Sequence, residues 1–270
     1  MKKIAVGIIG CGAIGSAIAV ACRGRLRDRL RLVALCDAAQ PAVTVLMRSL
    51  RVRIPSVSME RLIGMSDLVV EAACGAIAPV VLERCLRRKR DCLIMSVGGL
   101  LGKEKLLQDA ERRGVRVLIP SGAVCGIDGL RAAAAGRIDT VTLTTRKPLK
   151  GLTGAPYIVK RGIDLAAVKG EKVIFNGRAA DAVKAFPKNV NVSAVLSLAG
   201  IGAKKTRVRI VTSPAYTKNT HELEVTGAFG RLVTRTENVP SPTNPKTSAM
   251  AFYSAIATLD GFTRSVKIGT

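Results

Sequence analysis

Short apolar bursts alternate with longer stretches of helical spacing through the first 120 positions of the chain. The first burst, 4–9, is rich in β-branched residues and predicts a strand; the apolar segment 13–22 predicts a helix. Further strands are expected at 31–36, 68–73, 92–97 and 115–119, with helices at 41–50, 79–88 and 103–113. Strands alternating with helices of about ten residues predict an α/β fold, a Rossmann doubly wound parallel sheet. After 126 the pattern changes. A short helix, 126–135, precedes Thr-rich strands of period two at 140–145, 172–175, 206–212, 222–226 and 231–234. Helical candidates at 179–186 and 192–200 interrupt them, so a second, α+β substrate domain is expected, its sheet solvated on one face and covered by helices on the other. Prolines 240, 242 and 245 mark a loop, and 245–262 reads as a final helix. The expected organisation is a dinucleotide-binding domain over 1–122, an α+β catalytic domain over 123–243, and a C-terminal segment, 244–270, whose helix packs back on the first domain.

Composition narrows the class. Apolar residues make up 48% of 270, with a mean hydropathy of +0.28, enough for a packed interior. No run approaches the roughly 18 to 20 uncharged residues that a membrane span needs. The first strand starts at the N-terminus and leaves no room for a signal peptide, so a soluble, cytoplasmic protein with no membrane partner is expected. Seven cysteines without a Cys-x-x-Cys pair, and a single histidine, provide no metal-ligand spacing. The net charge of +24 invites a nucleic-acid reading. Yet the clusters at 23–31 and 87–90 fall at the ends of expected helices, where cations favour the helix dipole. Aromatic residues are only 3%, too few for a base-stacking platform, so no specific nucleic-acid partner is expected. The positive field instead favours anionic cofactors and dicarboxylate substrates.

The first strand runs directly into Gly10-Cys-Gly12-Ala13-Ile14-Gly15. Strand, glycine turn and helix in that order form a dinucleotide site. Gly10 permits the tight turn, Gly12 lets backbone approach a pyrophosphate, and Gly15 lets helix and strand pack closely. The pyrophosphate then lies against the amides opening the helix, at Ala13 and Ile14. Asp37 ends the second expected strand, about 20 residues on, where a carboxylate accepts from the adenine ribose. That carboxylate suits NAD and repels the 2′-phosphate of NADP, although Arg48 is near enough in sequence to keep NADP use open.

Later blocks carry a resemblance. Ser-Gly-Ala-Val-Cys-Gly-Ile-Asp-Gly (121–129), Thr-Thr-Arg-Lys-Pro (144–148), Phe-Pro-Lys-Asn-Val-Asn-Val (186–192), Asn-Thr-His-Glu (219–222) and Asn-Pro-Lys-Thr-Ser (244–248) occur in order along the chain. With the glycine turn, the chain resembles the prokaryotic-type L-aspartate dehydrogenase family. The resemblance implies NAD- or NADP-dependent oxidation of L-aspartate to iminosuccinate, which hydrolyses to oxaloacetate and ammonia or feeds NAD biosynthesis. It also implies a homodimer, cofactor contacts at Ala123 and Asn189, and catalysis by His221.

The residues themselves bear on these roles. His221 lies in a polar stretch at the entry to an expected strand, and an imidazole titrating near neutrality suits a proton transfer coupled to hydride transfer. Asn189 precedes a helical run, so its amide serves either as a helix cap or as a partner for the nicotinamide carboxamide. Arg146, Lys147 and Lys246 are candidates for the substrate carboxylates. Two rival readings stay open: a related oxidoreductase of homoserine dehydrogenase or dihydrodipicolinate reductase type, and a nucleotide-sensing protein without turnover.

Overall fold

The computed structural model describes residues 2–186, 191–241 and 244–269, with backbone alone at 244–246. It forms two compact units, one of residues up to Pro120 together with Phe252–Lys267, the other chiefly Ser121–Ala251.

The first unit runs β1 (Ile4–Ile9), α1 (Ala13–Arg23), β2 (Leu30–Cys36), α2 (Gln40–Leu50), α3 (Met59–Met65), β3 (Leu68–Glu71), α4 (Ala78–Arg88), β4 (Asp91–Ile94), α5 (Glu104–Arg113) and β5 (Val117–Leu118). The strands pair in parallel in the order β2-β1-β3-β4-β5, so the chain reverses direction across the sheet at β1 and β3. Ligands of such sheets bind beyond the carboxyl ends of the strands at this switch point. Strand residues alternate between two cores. Val6, Ile8, Val70 and Leu93 pack with Ile18 and Cys22 of α1, whereas Ile9, Val69 and Ile94 pack with Leu62 of α3 and Leu82 of α4. Both faces are covered, which explains the nearly continuous apolar strands.

Three local readings are corrected. Segment 92–97 is strand only to Ile94, and Val97–Leu100 turns as a 3-10 helix. The short helix α3 escapes a periodicity search because it is brief; Ser58 caps it by accepting from the Arg61 amide, and its Leu62 and Ile63 are buried. The region around the three prolines holds β11 (Pro240–Ser241) and β12 (Asn244–Ser248), paired antiparallel, and the last helix, α10 (Ala249–Phe262), starts later than 245. A proline fits an edge strand as well as a first helical turn, so the local pattern does not separate the two. Ala255, Ile256 and Leu259 of α10 join the core containing Val6 and Ile18, and Asp260 pairs with Arg29.

The second unit contains α6 (Ile127–Ala133), β6 (Ile138–Lys147), α7 (Pro156–Lys160), β7 (Lys172–Arg178), α8 (Ala179–Ala185), α9 (Asn191–Ala199), β8 (Arg207–Thr212), β9 (Asn219–Gly227) and β10 (Gly230–Asn238). Its sheet has the order β10-β9-β6-β8-β7, with only β6 and β8 parallel. One face packs Val141, Leu143, Leu223 and Val225 against Leu130 of α6 and Leu196 of α9, while Val208 and Ile210 meet Ala182 of α8 and Phe186. The opposite face is polar, with Thr140 bonded to Thr226 and Arg231 to Glu224.

One polar side chain is sealed into the first unit. Glu71, at the carboxyl end of β3, is fully buried and accepts from the amides of Ala73, at 2.8 Å, and Ser96, at 2.9 Å. Burial pushes its carboxyl above the ordinary range, and these hydrogen bonds pull it back. The carboxylate thereby ties the loop after β3 to the loop after β4. Glu71→Gln keeps the shape but sets an NH2 group against one of the two amides. A loss of about 1–3 kcal/mol of stability is expected from the unsatisfied pair, read by urea denaturation. A change within 0.5 kcal/mol, the range of about that size typical of neutral substitutions, would show that the two loops do not depend on it.

Candidate active site

The glycine turn is shaped by sterics. Gly10 has φ +96°, and a Cβ there would stand 2.5 Å from the Ala72 backbone. A Cβ on Gly15 would lie 1.9 Å from the Gly10 carbonyl oxygen. Both positions exclude any side chain. At Gly12, which opens α1, a Cβ would meet nothing within 4 Å, and no side chain caps the helix there. The amides at Ala13 and Ile14 belong to the first turn, which has no intrahelical acceptors and no acidic residue. This cradle fits a pyrophosphate.

Asp37 stands beside the turn. One carboxylate oxygen accepts from the Cys11 amide at 2.6 Å and the other from the Ala39 amide at 2.8 Å. These bonds orient the group and leave each oxygen able to accept again, as a ribose diol requires. Arg48 lies in the last turn of α2, which starts at Gln40. Two helical turns, about 11 Å, therefore separate it from the carboxylate end of that helix. Gly10, Gly12, Ala13, Ile14, Gly15 and Asp37 thus gather at the carboxyl end of β1 and β2.

His221 is in the second unit, within β9, opposite Thr145 of β6 and Thr236 of β10. Its Nδ1 lies 3.0 Å from Thr145 Oγ1. The expectation of a polar strand entry is corrected: His221, Leu223 and Val225 share the helix-covered face, and the imidazole is 7% exposed. The expectation of near-neutral titration is corrected as well. Burial first, and then the Lys147 charge, push the imidazole down to about 3. It is therefore neutral at physiological pH. If Nδ1–H donates to Thr145, Nε2 holds the lone pair and can accept a proton.

Lys147 ends β6 on the same face as Thr145, and its own ammonium is pushed down to about 8 by burial. Thr145, Lys147, Phe186 and Ser193 line a narrow crevice whose other walls are apolar. Arg146, one residue away, faces the opposite side of the sheet and pairs with Glu222 at 3.2 Å. Alternation along the strand makes this separation between neighbouring cations.

Ala123 is brought near this group by β10. Asn238 Nδ2 donates to the Ala123 carbonyl at 3.0 Å, and Thr236, across from His221, accepts from the Cys125 amide at 3.2 Å. Asn238 and Thr236 escaped sequence reasoning, although their period-two spacing with Thr234 marks a shared face. Asn189 lies outside the described residues, as does the Lys246 side chain.

The sequence profile of the aspartate dehydrogenase C-terminal domain matches residues 128–262, and that of the homoserine dehydrogenase NAD-binding domain matches 10–120. An L-aspartate dehydrogenase of Methanosarcina mazei is 45% identical over 98% of this chain and 99% of its own length. One from Bradyrhizobium diazoefficiens is 37% identical over 100% of this chain and 95% of its own. The crystal structure of aspartate dehydrogenase from Thermotoga maritima superposes with a TM-score of 0.69 at 24% identity, covering 99% of this chain and 100% of that one, and so shares the fold. With an NAD-binding first unit and a second unit of the aspartate dehydrogenase type, the chain belongs to the aspartate dehydrogenase family.

Proposed function

We propose that this protein oxidises L-aspartate to iminosuccinate with NAD, and that His221 is its proton acceptor. The observation carrying this reading is the neutral, buried imidazole beside a cation, in a chain related along its whole length to L-aspartate dehydrogenases. The α-ammonium must lose one proton before its nitrogen lone pair can drive hydride off Cα. Nε2 of a neutral imidazole is suited to take that proton, and Thr145 holds the ring in place. When bound, the nicotinamide supplies the carbon that accepts the hydride. The oxidised substrate is an iminium, and water adding to it releases oxaloacetate and ammonia. Burial of His221 among Leu223, Val225 and the covering helices limits water at the proton-transfer step.

On this reading Gly10, Gly12, Ala13, Ile14 and Gly15 hold the pyrophosphate and Asp37 the adenine ribose. Ala123 and Asn189 serve the nicotinamide end. The enzyme works as a cytoplasmic homodimer whose product feeds NAD biosynthesis, and its positive charge attracts anionic substrate and cofactor rather than a specific nucleic acid. Among the described residues no helix is long and apolar enough to cross a membrane.

Cofactor preference tests the Asp37 role. The protein should prefer NAD to NADP or use them equally, and Asp37→Ser should narrow any gap by weakening NAD and relieving repulsion of the 2′-phosphate. Steady-state kinetics with both cofactors decides this; a clear NADP preference in the unaltered protein overturns it.

A comparison of aspartate, glutamate, alanine and homoserine as substrates tests the activity, with aspartate expected to give the highest kcat/KM. His221→Ala should lower kcat for aspartate by about 10²-fold or more, the scale of a positioned acid–base group. NAD affinity, measured by fluorescence titration, should hardly move. Retained turnover with weakened NAD binding would instead make His221 a cofactor or structural residue.

A further inference from the structure

Lys147 occupies an environment that disfavours its charge. It is 7% exposed, and apart from Thr145 and Ser193 the crevice it lines is walled by apolar side chains, among them Leu143, Phe186 and Ile210. Among the described residues lining that crevice, Lys147 alone is charged. A methionine of similar length would fill the space without the cost of desolvating an ammonium. The backbone here is firmly held, since Thr212 Oγ1 donates to the Lys147 carbonyl at 2.7 Å. The side chain shares a sheet face with Thr145, whose hydroxyl meets His221, and its charge is felt at the imidazole. The neighbouring cation, Arg146, is on the other face and paired with Glu222. One basic side chain is thus directed into the His221 side of the sheet and the next away from it.

We propose that Lys147 anchors a carboxylate of the amino-acid substrate, so that the substrate amine is presented to His221. This inference rests on the aspartate reading above. An ammonium and a carboxylate form a charge-assisted hydrogen bond that a dry crevice strengthens. The bound carboxylate would also offset the positive field acting on His221, making the imidazole a stronger proton acceptor when substrate is in place.

The charged and titratable groups around Lys147 are few. His221 faces it from β9, and α9 carries no acidic or basic residue. Asp181 and Lys184 of α8, Lys150 in the following turn, and Lys172 of β7 are all exposed, and Arg146 and Glu222 lie on the opposite face. With the ammonium brought down to about 8, it is protonated at neutral pH and loses its proton as pH rises through that value. Substrate affinity should therefore decline above pH 8 as the anchor becomes neutral.

The test uses the full chain saturated with NAD, and succinate as a probe that carries both carboxylates but no amine. Lys147→Met should weaken succinate binding in calorimetry, and raise KM for aspartate, by about 10-fold or more, with kcat less affected and NAD affinity within about threefold, an allowance for indirect effects. Lys147→Arg should recover part of the binding and move the alkaline decline to higher pH, because guanidinium keeps its proton. Unchanged succinate affinity in Lys147→Met overturns the proposal. If that variant does not fold, an alkaline decline left unmoved in Lys147→Arg overturns it equally. Failure of the aspartate reading looks different: the unaltered protein would not oxidise aspartate, whatever succinate binding shows.

Discussion

The antiparallel register that sets Thr145 opposite His221 is the constraint on which the catalytic half depends. Side chains alternate with a period of two, so a slip of one residue would turn His221 to the polar face and bring Glu222 under the helices. The apolar partners prevent that slip. Leu143 pairs with Leu223 and Val141 with Val225, and both pairs lie on the same face as the imidazole. The hydrophobic core of the second unit therefore aims the histidine, and its position follows from packing as much as from its hydrogen bond.

Burial then decides the chemistry. A solvated histidine would be partly protonated at neutral pH, whereas this one is kept neutral by the covering helices and by the nearby ammonium. Lys147 is held under the same helices, and the two groups influence each other across the end of the sheet. Thr236 and Asn238 extend the arrangement to the next strand by holding the segment around Ala123. Three neighbouring strands thus present one group of polar side chains within an otherwise apolar face.

In the first unit two carboxylates do different work because they sit in different surroundings. Glu71 is sealed from water and takes both of its amide partners from loops after β3 and β4. Asp37 is only half-buried, and its oxygens retain acceptor capacity beside the glycine turn. Only the second arrangement leaves a carboxylate open to a ligand. Both use the amides that a parallel sheet leaves unpaired at the carboxyl ends of its strands.

The sequence by itself determined the parallel sheet of the first unit, its glycine turn and Asp37, because these follow from local periodicity and from backbone conformations that only glycine accepts. It also determined that Ile138–Lys147 and Asn219–Gly227 are strands with two unlike faces, since alternation is a local property. Local pattern does not state which strands become neighbours. The order β10-β9-β6-β8-β7 joins segments far apart in the chain, and only that pairing buried His221, set Thr145 and Lys147 beside it, and turned Arg146 away. The tertiary structure decided these matters because an ionisable group's behaviour depends on how much water and charge surround it, and its surroundings here come from strands and helices distant in sequence.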